Sequence, residues 1–323
     1  MTEPALGLEV VHETRYDYAA PVSLAHHLAH LQPLADAHQT LLGFDLEISP
    51  EPVLLRLRRD AQGNAERHFS LEQPHRRLTV RATSRVRVAR RFAALDAESG
   101  PAWDELARRL RYVARAPFLP EVEYALPSPY VPRLQALRGY AAPSFDAGRP
   151  LAAAALDLMH RIHADFRYQS QSTAVDTPLA SVWQHRRGVC QDFAHLMAGT
   201  MRMLGLPVRY VSGYLLTHAP EGGAALQGAD ASHAWVQVWC PGTAGVPADG
   251  WLDLDPTNDL VPGLGHVRLA VGRDFGDVTP LRGVIRGGGG NHVLTVGVST
   301  RMSGGASDPE RELLVGTVQE QRR

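Results

Sequence analysis

The first hundred residues combine short apolar runs with turn-forming residues, a pattern typical of β-strands. Apolar runs occur at 8–11, 41–48 and 53–57, and DAQGN at 60–64 places a glycine and an asparagine where a turn is expected. Residues 77–88, RLTVRATSRVRV, alternate arginine with small or apolar side chains, as a strand with one solvated face does. These patterns predict an N-terminal region built of β-strands.

Helical periodicity first appears after residue 100. Residues 103–114, WDELARRLRYVA, have the spacing of a short amphipathic helix, and repeated prolines between 117 and 132 then indicate an irregular connector. The alanine-rich segment 151–166 again carries apolar residues at helical spacing. We therefore divide the chain into a β region at 1–100, a connector at 101–150, a core at 151–303 and a flexible tail at 304–323.

The core segment contains one strongly amphipathic helix, followed by strands. One helix face carries Phe193, Leu196, Met197, Thr200 and Leu204. Gly205 and Pro207 are expected to end that helix. Strand-like segments follow at 208–216, 233–240, 251–255 and 292–298.

The amino-acid composition and the charge balance limit the kinds of molecule that the protein is expected to bind. Hydrophobic residues make up 44% of the chain and charged residues 21%, which is typical of a folded globular protein. The 33 basic residues, all arginine, balance 34 acidic ones, so no overall field favours nucleic acid or an anionic membrane. We find no signal peptide, no apolar stretch long enough to span a bilayer and only two cysteines. A cytoplasmic protein with reduced thiols is therefore expected.

Cys190 is the first candidate for chemistry. It follows Gly188 and Val189 and falls in the first turn of the predicted helix. The N–H groups and the dipole at a helix start favour an anion, which promotes the reactive thiolate form of cysteine. The alternative is a cysteine that only packs at the helix start.

A thiolate nucleophile needs a histidine to supply a proton and a third group to orient the imidazole. His233 opens one strand-like segment, and Asp253 and Asp255 lie on the next. If the two segments pair in an antiparallel manner, one of these aspartates comes beside His233. Asp255 is the stronger candidate because its strand ends there, whereas Asp253 lies deeper and suits a structural role.

At this point the chain resembles a known family. It is similar to bacterial transglutaminase-like proteins, a branch of the papain-like thiol enzymes, in GVCQDFAHLMAGTMRMLGLPVRYVSGYL (188–215), ASHAWVQVW (231–239) and GWLDLDPTN (250–258). Further similarity in VGRDFGDVTPLRGV (271–284), HETRYDYAAPV (12–22) and the DAQGN turn extends the resemblance over roughly residues 8–300. The occurrence of the three core motifs in this order is highly specific for this family.

The resemblance implies an α+β fold. An N-terminal antiparallel β-sandwich precedes a transglutaminase-like, papain-like core, in which the nucleophile's helix packs on a small antiparallel sheet. The family's catalytic cysteine, histidine and aspartate correspond to Cys190, His233 and Asp255. The choice of Asp255 from the residues alone agrees with this correspondence.

An acyl-transfer enzyme also needs donors for the developing oxyanion. The backbone N–H of Cys190, at the helix start, is one expected donor. Tyr168 matches an aromatic position common in relatives of this core and is the candidate for the second. Gln169 and Trp183 are its rivals.

Several other polar residues have simpler expected roles. His195 lies off the helix face of Cys190 and is expected to make a structural hydrogen bond, while Asp192 suits capping in the first helical turn. Cys240 has no adjacent base and is expected to pack. No calcium loop or paired metal-binding motif occurs, and nucleophilic use of Cys190 and His233 is favoured over a zinc site that includes Asp255.

The resulting expectation is an enzyme that transfers acyl groups through a thioester on its cysteine. Peptide or carboxamide bonds of a peptide or protein substrate are attacked, with hydrolysis favoured over amine transfer and no cofactor or metal required. The alternative is a non-catalytic peptide-binding module, or an interaction scaffold with the same fold. The sequence does not indicate an oligomeric state.

Overall fold

The structure is a computed structural model, which describes residues 5–170, 172–217 and 232–303 and the backbone of 315–318. Apart from that last segment, the predicted tail at 304–323 lies outside the described residues. Among the helices of the described part, none has both the length and the apolar character needed to cross a bilayer.

The N-terminal region is antiparallel β structure, as the sequence predicts. Its strands are β1 (Ala5–Ala29), β2 (Gln39–Ser49), β3 (Leu54–Arg59), β4 (Ala65–Leu71) and β5 (His75–Ala89). The long strand β1 pairs with β5 along its first half and with β4 along its second half. The predicted strands at 41–48 and 77–88 thus correspond to β2 and β5.

Two strands from the far end of the chain complete this N-terminal sheet. β12 (Leu281–Gly287) and β13 (His292–Met302) both pair antiparallel with β1. The prediction that residues 151–303 all belong to the core is therefore wrong for β12 and β13, which belong to the N-terminal sheet. By pairing with β1, they cover backbone groups that would otherwise form an open sheet edge. β14 (Val315–Val318) pairs in turn with β13, so part of the predicted flexible tail is a strand.

The two halves of the N-terminal sheet enclose an apolar core, as in a sandwich. Within the described residues, eight strands form one hydrogen-bonded sheet, because β1 runs through both halves. The register of β1 against β5 shifts between Asp17 and Val22. Phe69 of β4 and Leu78 of β5 belong to the same buried apolar cluster as Val22. The two halves therefore pack face to face, and β1 joins them.

Helices dominate the segment between the sandwich and the core sheet. They are α1 (Trp103–Arg109), α2 (Gln135–Ala141), α3 (Leu151–Asp165), α4 (Leu179–His185) and α5 (Cys190–Arg202). The short strands β6 (Arg167–Tyr168) and β7 (Arg187–Gly188) pair in parallel just before α5. Gly205, with a φ of +80°, follows α5 and turns the chain toward the core sheet.

The core sheet has four antiparallel strands in the order β10-β9-β8-β11. These are β8 (Val208–Leu215), β9 (His233–Trp239), β10 (Trp251–Leu254) and β11 (His266–Gly272), followed by the short helix α6 (Phe275–Val278). The predicted antiparallel pairing of β9 with β10 is confirmed. Phe193 and Met197 of α5 share a buried apolar cluster with Val236 and Leu254, so the helix packs directly on this sheet.

Candidate active site

Cys190 is the first residue of α5 and is partly exposed. The helix start is fixed by Asp192, whose Oδ2 accepts the backbone N–H of Val189 at 2.8 Å and the Thr173 hydroxyl at 2.6 Å. A Cβ atom on Gly188 would lie 2.6 Å from that same oxygen, so the turn requires glycine there. The predicted capping role of Asp192 is confirmed, and the turn sets the position of the thiol.

His233 opens β9 and is almost completely buried. It pairs across the sheet with Gly213 of β8, where a Cβ atom would lie 2.3 Å from the indole of Trp235. Without a side chain at Gly213, the indole packs in the sheet, and its ring centre lies 6.0 Å from that of His233. The imidazole is thereby held between packed aromatic and backbone groups.

Asp255 accepts a hydrogen bond from His233, with 2.8 Å between its Oδ2 and the Nε2 of the imidazole. The carboxylate is fully buried, and its Oδ1 accepts the backbone N–H groups of Thr257 and Asn258. These bonds form within the turn that follows β10, where Asp255 also bridges to Leu260. The end of β10 thus presents the carboxylate to β9.

Two more side chains reach Oδ2 of Asp255. Asn258 Nδ2 donates to it at 2.9 Å, and His266 Nε2 lies 3.3 Å from it. The sequence analysis singled out neither residue for the site. The signal for Asn258 is its place in the DPTN motif, three residues after the aspartate, whereas a lone histidine at the start of β11 gives no comparable signal.

The charges in this cluster are strongly coupled. Burial disfavours the imidazolium form of His233, but the Asp255 carboxylate and the Cys190 thiol outweigh burial and raise the pKa of His233 to about 10. Burial also opposes the charge on Asp255, yet His233 and His266 hold the pKa of that carboxyl well below its usual range. Burial lowers the pKa of His266. A protonated His233 beside an ionised Asp255 is the favoured state.

Asp253, the other aspartate considered from the sequence, has different surroundings. It pairs with Gln237 across the sheet. Burial raises the pKa of Asp253 to about 6, although Arg91 and Arg209 oppose that shift. The structure therefore brings Asp255, and not Asp253, to His233.

The three oxyanion candidates lie in different surroundings. Tyr168 pairs with Gly188 across the short parallel strands, and its ring contacts that of Phe193. Gln169 is exposed, and its backbone N–H donates to the Gly188 carbonyl. The ring of Trp183 stacks on the Arg186 guanidinium at 3.7 Å. Tyr168 thus lies on the strand next to the one that leads into α5, and Gln169 directly follows that strand.

His195 and Cys240 have the structural surroundings expected for them. The Nε2 atom of His195 accepts the backbone N–H of Phe275, and burial lowers the pKa of this imidazole to about 3. Cys240 is fully buried in the apolar core, where burial raises the pKa of its thiol. Neither residue contacts the cluster around Asp255.

A helix that begins at Cys190 and packs on an antiparallel sheet, next to the hydrogen-bonded pair of His233 and Asp255, is the arrangement of a transglutaminase-like core. The model of the transglutaminase-like superfamily matches residues 139–256, and that of the bacterial transglutaminase-like N-terminal region matches residues 8–87. The chain belongs to the bacterial transglutaminase-like proteins.

The chain is similar to full-length relatives and, over part of its length, to a larger enzyme. An uncharacterized Mycobacterium tuberculosis protein is 39% identical over 295 residues, which are 90% of each chain. A protein-glutamine gamma-glutamyltransferase of Pseudomonas aeruginosa is 32% identical over 117 residues, 35% of this chain and 17% of its own length. A Cytophaga hutchinsonii crystal structure named "putative cysteine protease" shares the fold, with a TM-score of 0.69, 21% identity and coverage of 95% of this chain and 93% of its own.

Proposed function

We propose that the protein is a cysteine-dependent acyl-transfer enzyme that acts on peptide or carboxamide bonds. One observation carries the proposal: His233 is hydrogen-bonded to the Asp255 carboxylate on the sheet that packs against α5, the helix that begins at Cys190. The Cys190 Sγ lies 4.0 Å from the carbonyl oxygen of Ser232, the residue that precedes His233. The Nε2 atom of His233 is hydrogen-bonded to Asp255, and its buried Nδ1 atom has no hydrogen-bond partner among the described residues. Nδ1 is therefore the ring nitrogen available to the thiol.

In the first half-reaction, the Cys190 thiolate attacks the substrate carbonyl carbon. The sulfur–carbon bond forms, and the carbonyl oxygen becomes an oxyanion, which the backbone N–H of Cys190 and the Tyr168 hydroxyl stabilise in this proposal. The carbon–nitrogen bond then breaks as the His233 imidazolium gives its proton to the departing amine. A thioester on Cys190 and a neutral imidazole remain.

In the second half-reaction, an acceptor attacks the thioester carbonyl carbon while His233 takes the acceptor's proton. The sulfur–carbon bond then breaks, which releases the acyl product and restores the Cys190 thiolate beside the His233 imidazolium. Water gives a protease or amidase, and an amine gives transglutamination, the activity named for the Pseudomonas aeruginosa relative. Cys190 is partly exposed, so water has access to the thioester, and we favour hydrolysis. The chain contains no lysine, so it cannot cross-link itself through a lysine amine.

The test is to incubate the purified protein with glutamine-containing peptides, with and without a primary amine. Mass spectrometry separates backbone cleavage, deamidation and amine adducts. We expect a hydrolysis product that Cys190→Ala abolishes and Cys240→Ala does not. Binding of the peptide without turnover by the wild-type protein would instead support a non-catalytic peptide-binding module.

A further inference from the structure

A second cluster of polar side chains lies in the N-terminal sandwich. His30 directly follows β1, Asp60 lies in the turn between β3 and β4, and Glu66 lies in β4. One nitrogen or oxygen atom from each lies within 4.8 Å of the others. The side chain of His30 is 1% exposed, and those of Asp60 and Glu66 are 13% and 16% exposed. The cluster is separate from the Cys190 site in sequence and in its contacts.

The orientation of His30 determines which of its nitrogens carries a proton. Nδ1 lies 3.2 Å from the carbonyl oxygen of Thr279, and only a protonated nitrogen can donate to that oxygen. In the neutral imidazole, Nε2 therefore presents a lone pair. This buried atom lies 3.4 Å from Oε1 of Glu66 and 3.7 Å from Oδ2 of Asp60, and it makes no hydrogen bond with either.

Both carboxylates are held in place by other donors. Oδ1 of Asp60 accepts the backbone N–H groups of Gln62 and Asn64, and Asn64 Nδ2 donates to Oδ2. The second oxygen of Glu66 lies 3.2 Å from Nε2 of His68. Among the described residues, His30 and His68 are the only basic groups within 4 Å of these two carboxylates.

We propose that His30 Nε2, Asp60 Oδ2 and Glu66 Oε1 bind a divalent transition-metal ion, for which zinc is the probe. Three atoms with lone pairs converge there and repel one another unless a cation lies between them. Zinc bonds of about 2.0–2.1 Å place tetrahedral ligands about 3.3 Å apart, close to the separations from Nε2. The Thr279 carbonyl and His68 supply the outer hydrogen bonds that orient metal ligands.

The position of the cluster indicates a structural role. Asn64, which holds Asp60, also exchanges two side-chain hydrogen bonds with the backbone of Val271 in β11. Thr279, which holds His30, directly follows α6. A metal ion bound by this cluster joins the β3–β4 turn and the end of β1 at the place where the sandwich meets the core.

The proposal is tested by titrating zinc into metal-free protein in which Cys190 has been alkylated, so that its thiol cannot bind metal. Calorimetry and elemental analysis give the stoichiometry, and the melting temperature is measured with and without zinc. The variants are Glu66→Gln and, as a matched control, Glu72→Gln at the exposed position directly after β4. We expect one zinc per chain and a higher melting temperature in the wild type and the control, with at least tenfold weaker binding in Glu66→Gln.

Two results would overturn the proposal. One is zinc binding by Glu66→Gln that equals that of the wild type, and the other is no binding by the wild type. In the second case, a lower melting temperature of metal-free Glu66→Gln would identify His30 as an imidazolium paired with the carboxylates. Circular dichroism of each metal-free variant separates a lost site from a failure to fold.

Discussion

His266 places its Nε2 atom 3.3 Å from Oδ2 of Asp255, the oxygen that also accepts the hydrogen bond from His233. The two imidazoles thus approach one fully buried carboxylate. Burial lowers the pKa of His266, so at neutral pH it can act as an uncharged donor while His233 carries the charge. His266 therefore orients Asp255 without competing for its negative charge.

Replacement of His266 by glutamine is expected to lower kcat/KM about tenfold, which corresponds to ~1.4 kcal/mol. Asp255 keeps its bonds from Asn258 and from the backbone, so the loss is partial. The alkaline limb of the pH–rate profile should move to lower pH as the carboxylate holds the His233 proton less firmly. A profile identical to that of the wild type would contradict this positioning role.

The two aspartates at the end of β10 provide a matched pair of variants. Asp255→Asn is expected to lower kcat by about 10²–10⁴, because an amide no longer favours the protonated imidazole of His233. Asp253→Asn should leave kcat within about twofold, since that residue faces Gln237 across the sheet and makes no hydrogen bond to His233. Steady-state kinetics on a glutamine peptide measure both. Comparable losses in the two variants would reject Asp255 as the orienting group.

The sequence predicted those parts of the fold that depend on local patterns. The helix α5 and the strands β8, β9 and β10 follow from apolar spacing. The full length of β1 was missed because His12 and His27 are buried within it, so its alternation of apolar and polar residues is interrupted. The pairing of β12 and β13 with β1 could not be predicted, because these strands lie more than 250 residues apart and no local signal records the contact.

In the candidate site too, local motifs could be recognised from the sequence, whereas contacts between distant segments could not. Cys190, His233 and Asp255 could be singled out because each belongs to a recognisable motif and the three occur in order. His266 could not, since its contact with Asp255 depends on how the chain returns from the end of β10 to β11. The cluster of His30, Asp60 and Glu66 was missed for a similar reason, because its members come from separate segments with no metal-binding spacing.

The two cysteines are expected to differ strongly in reaction with iodoacetamide. Cys190 is partly exposed beside a protonated His233, whereas Cys240 is fully buried with a raised pKa. Mass spectrometry should show a single adduct, on Cys190, before any label appears on Cys240.

The control for the labelling experiment is Cys190→Ala, which should stay unlabelled until urea exposes Cys240. His233→Gln should slow the labelling of Cys190 at pH 6 by at least tenfold, because the adjacent positive charge is lost. Equal labelling rates at the two cysteines of the wild type would exclude an activated nucleophile.

Three substitutions distinguish the candidates for the second oxyanion donor. Tyr168→Phe removes only a hydroxyl and is expected to lower kcat by about 10–10³ with little change in KM, because the lost bond forms mainly in the transition state. Gln169→Ala and Trp183→Phe should each stay within about threefold of the wild type. Kinetics with a chromogenic amide measure all three, and a large loss confined to Gln169→Ala would transfer the role to that residue.

Buried neutral histidines make the folded protein sensitive to acid. Burial holds the pKa of His195 near 3 and that of His12 near 4, whereas an unfolded histidine titrates near 6.5. Below pH 6.5 the unfolded state therefore binds protons that the folded state does not, and the free energy of unfolding falls as the pH decreases. For His195 alone the loss between pH 7.5 and pH 5 is about 2 kcal/mol.

His195→Gln tests this dependence, because a glutamine oxygen can still accept the Phe275 N–H but does not titrate. Urea unfolding at pH 7.5 and pH 5 should show that the variant loses about 2 kcal/mol less than the wild type over this interval. His185→Gln, at an exposed position, is the matched control and should follow the wild type. If His195→Gln showed the same acid dependence as the wild type, the destabilisation would have to come from other groups, of which His12 is the first to replace.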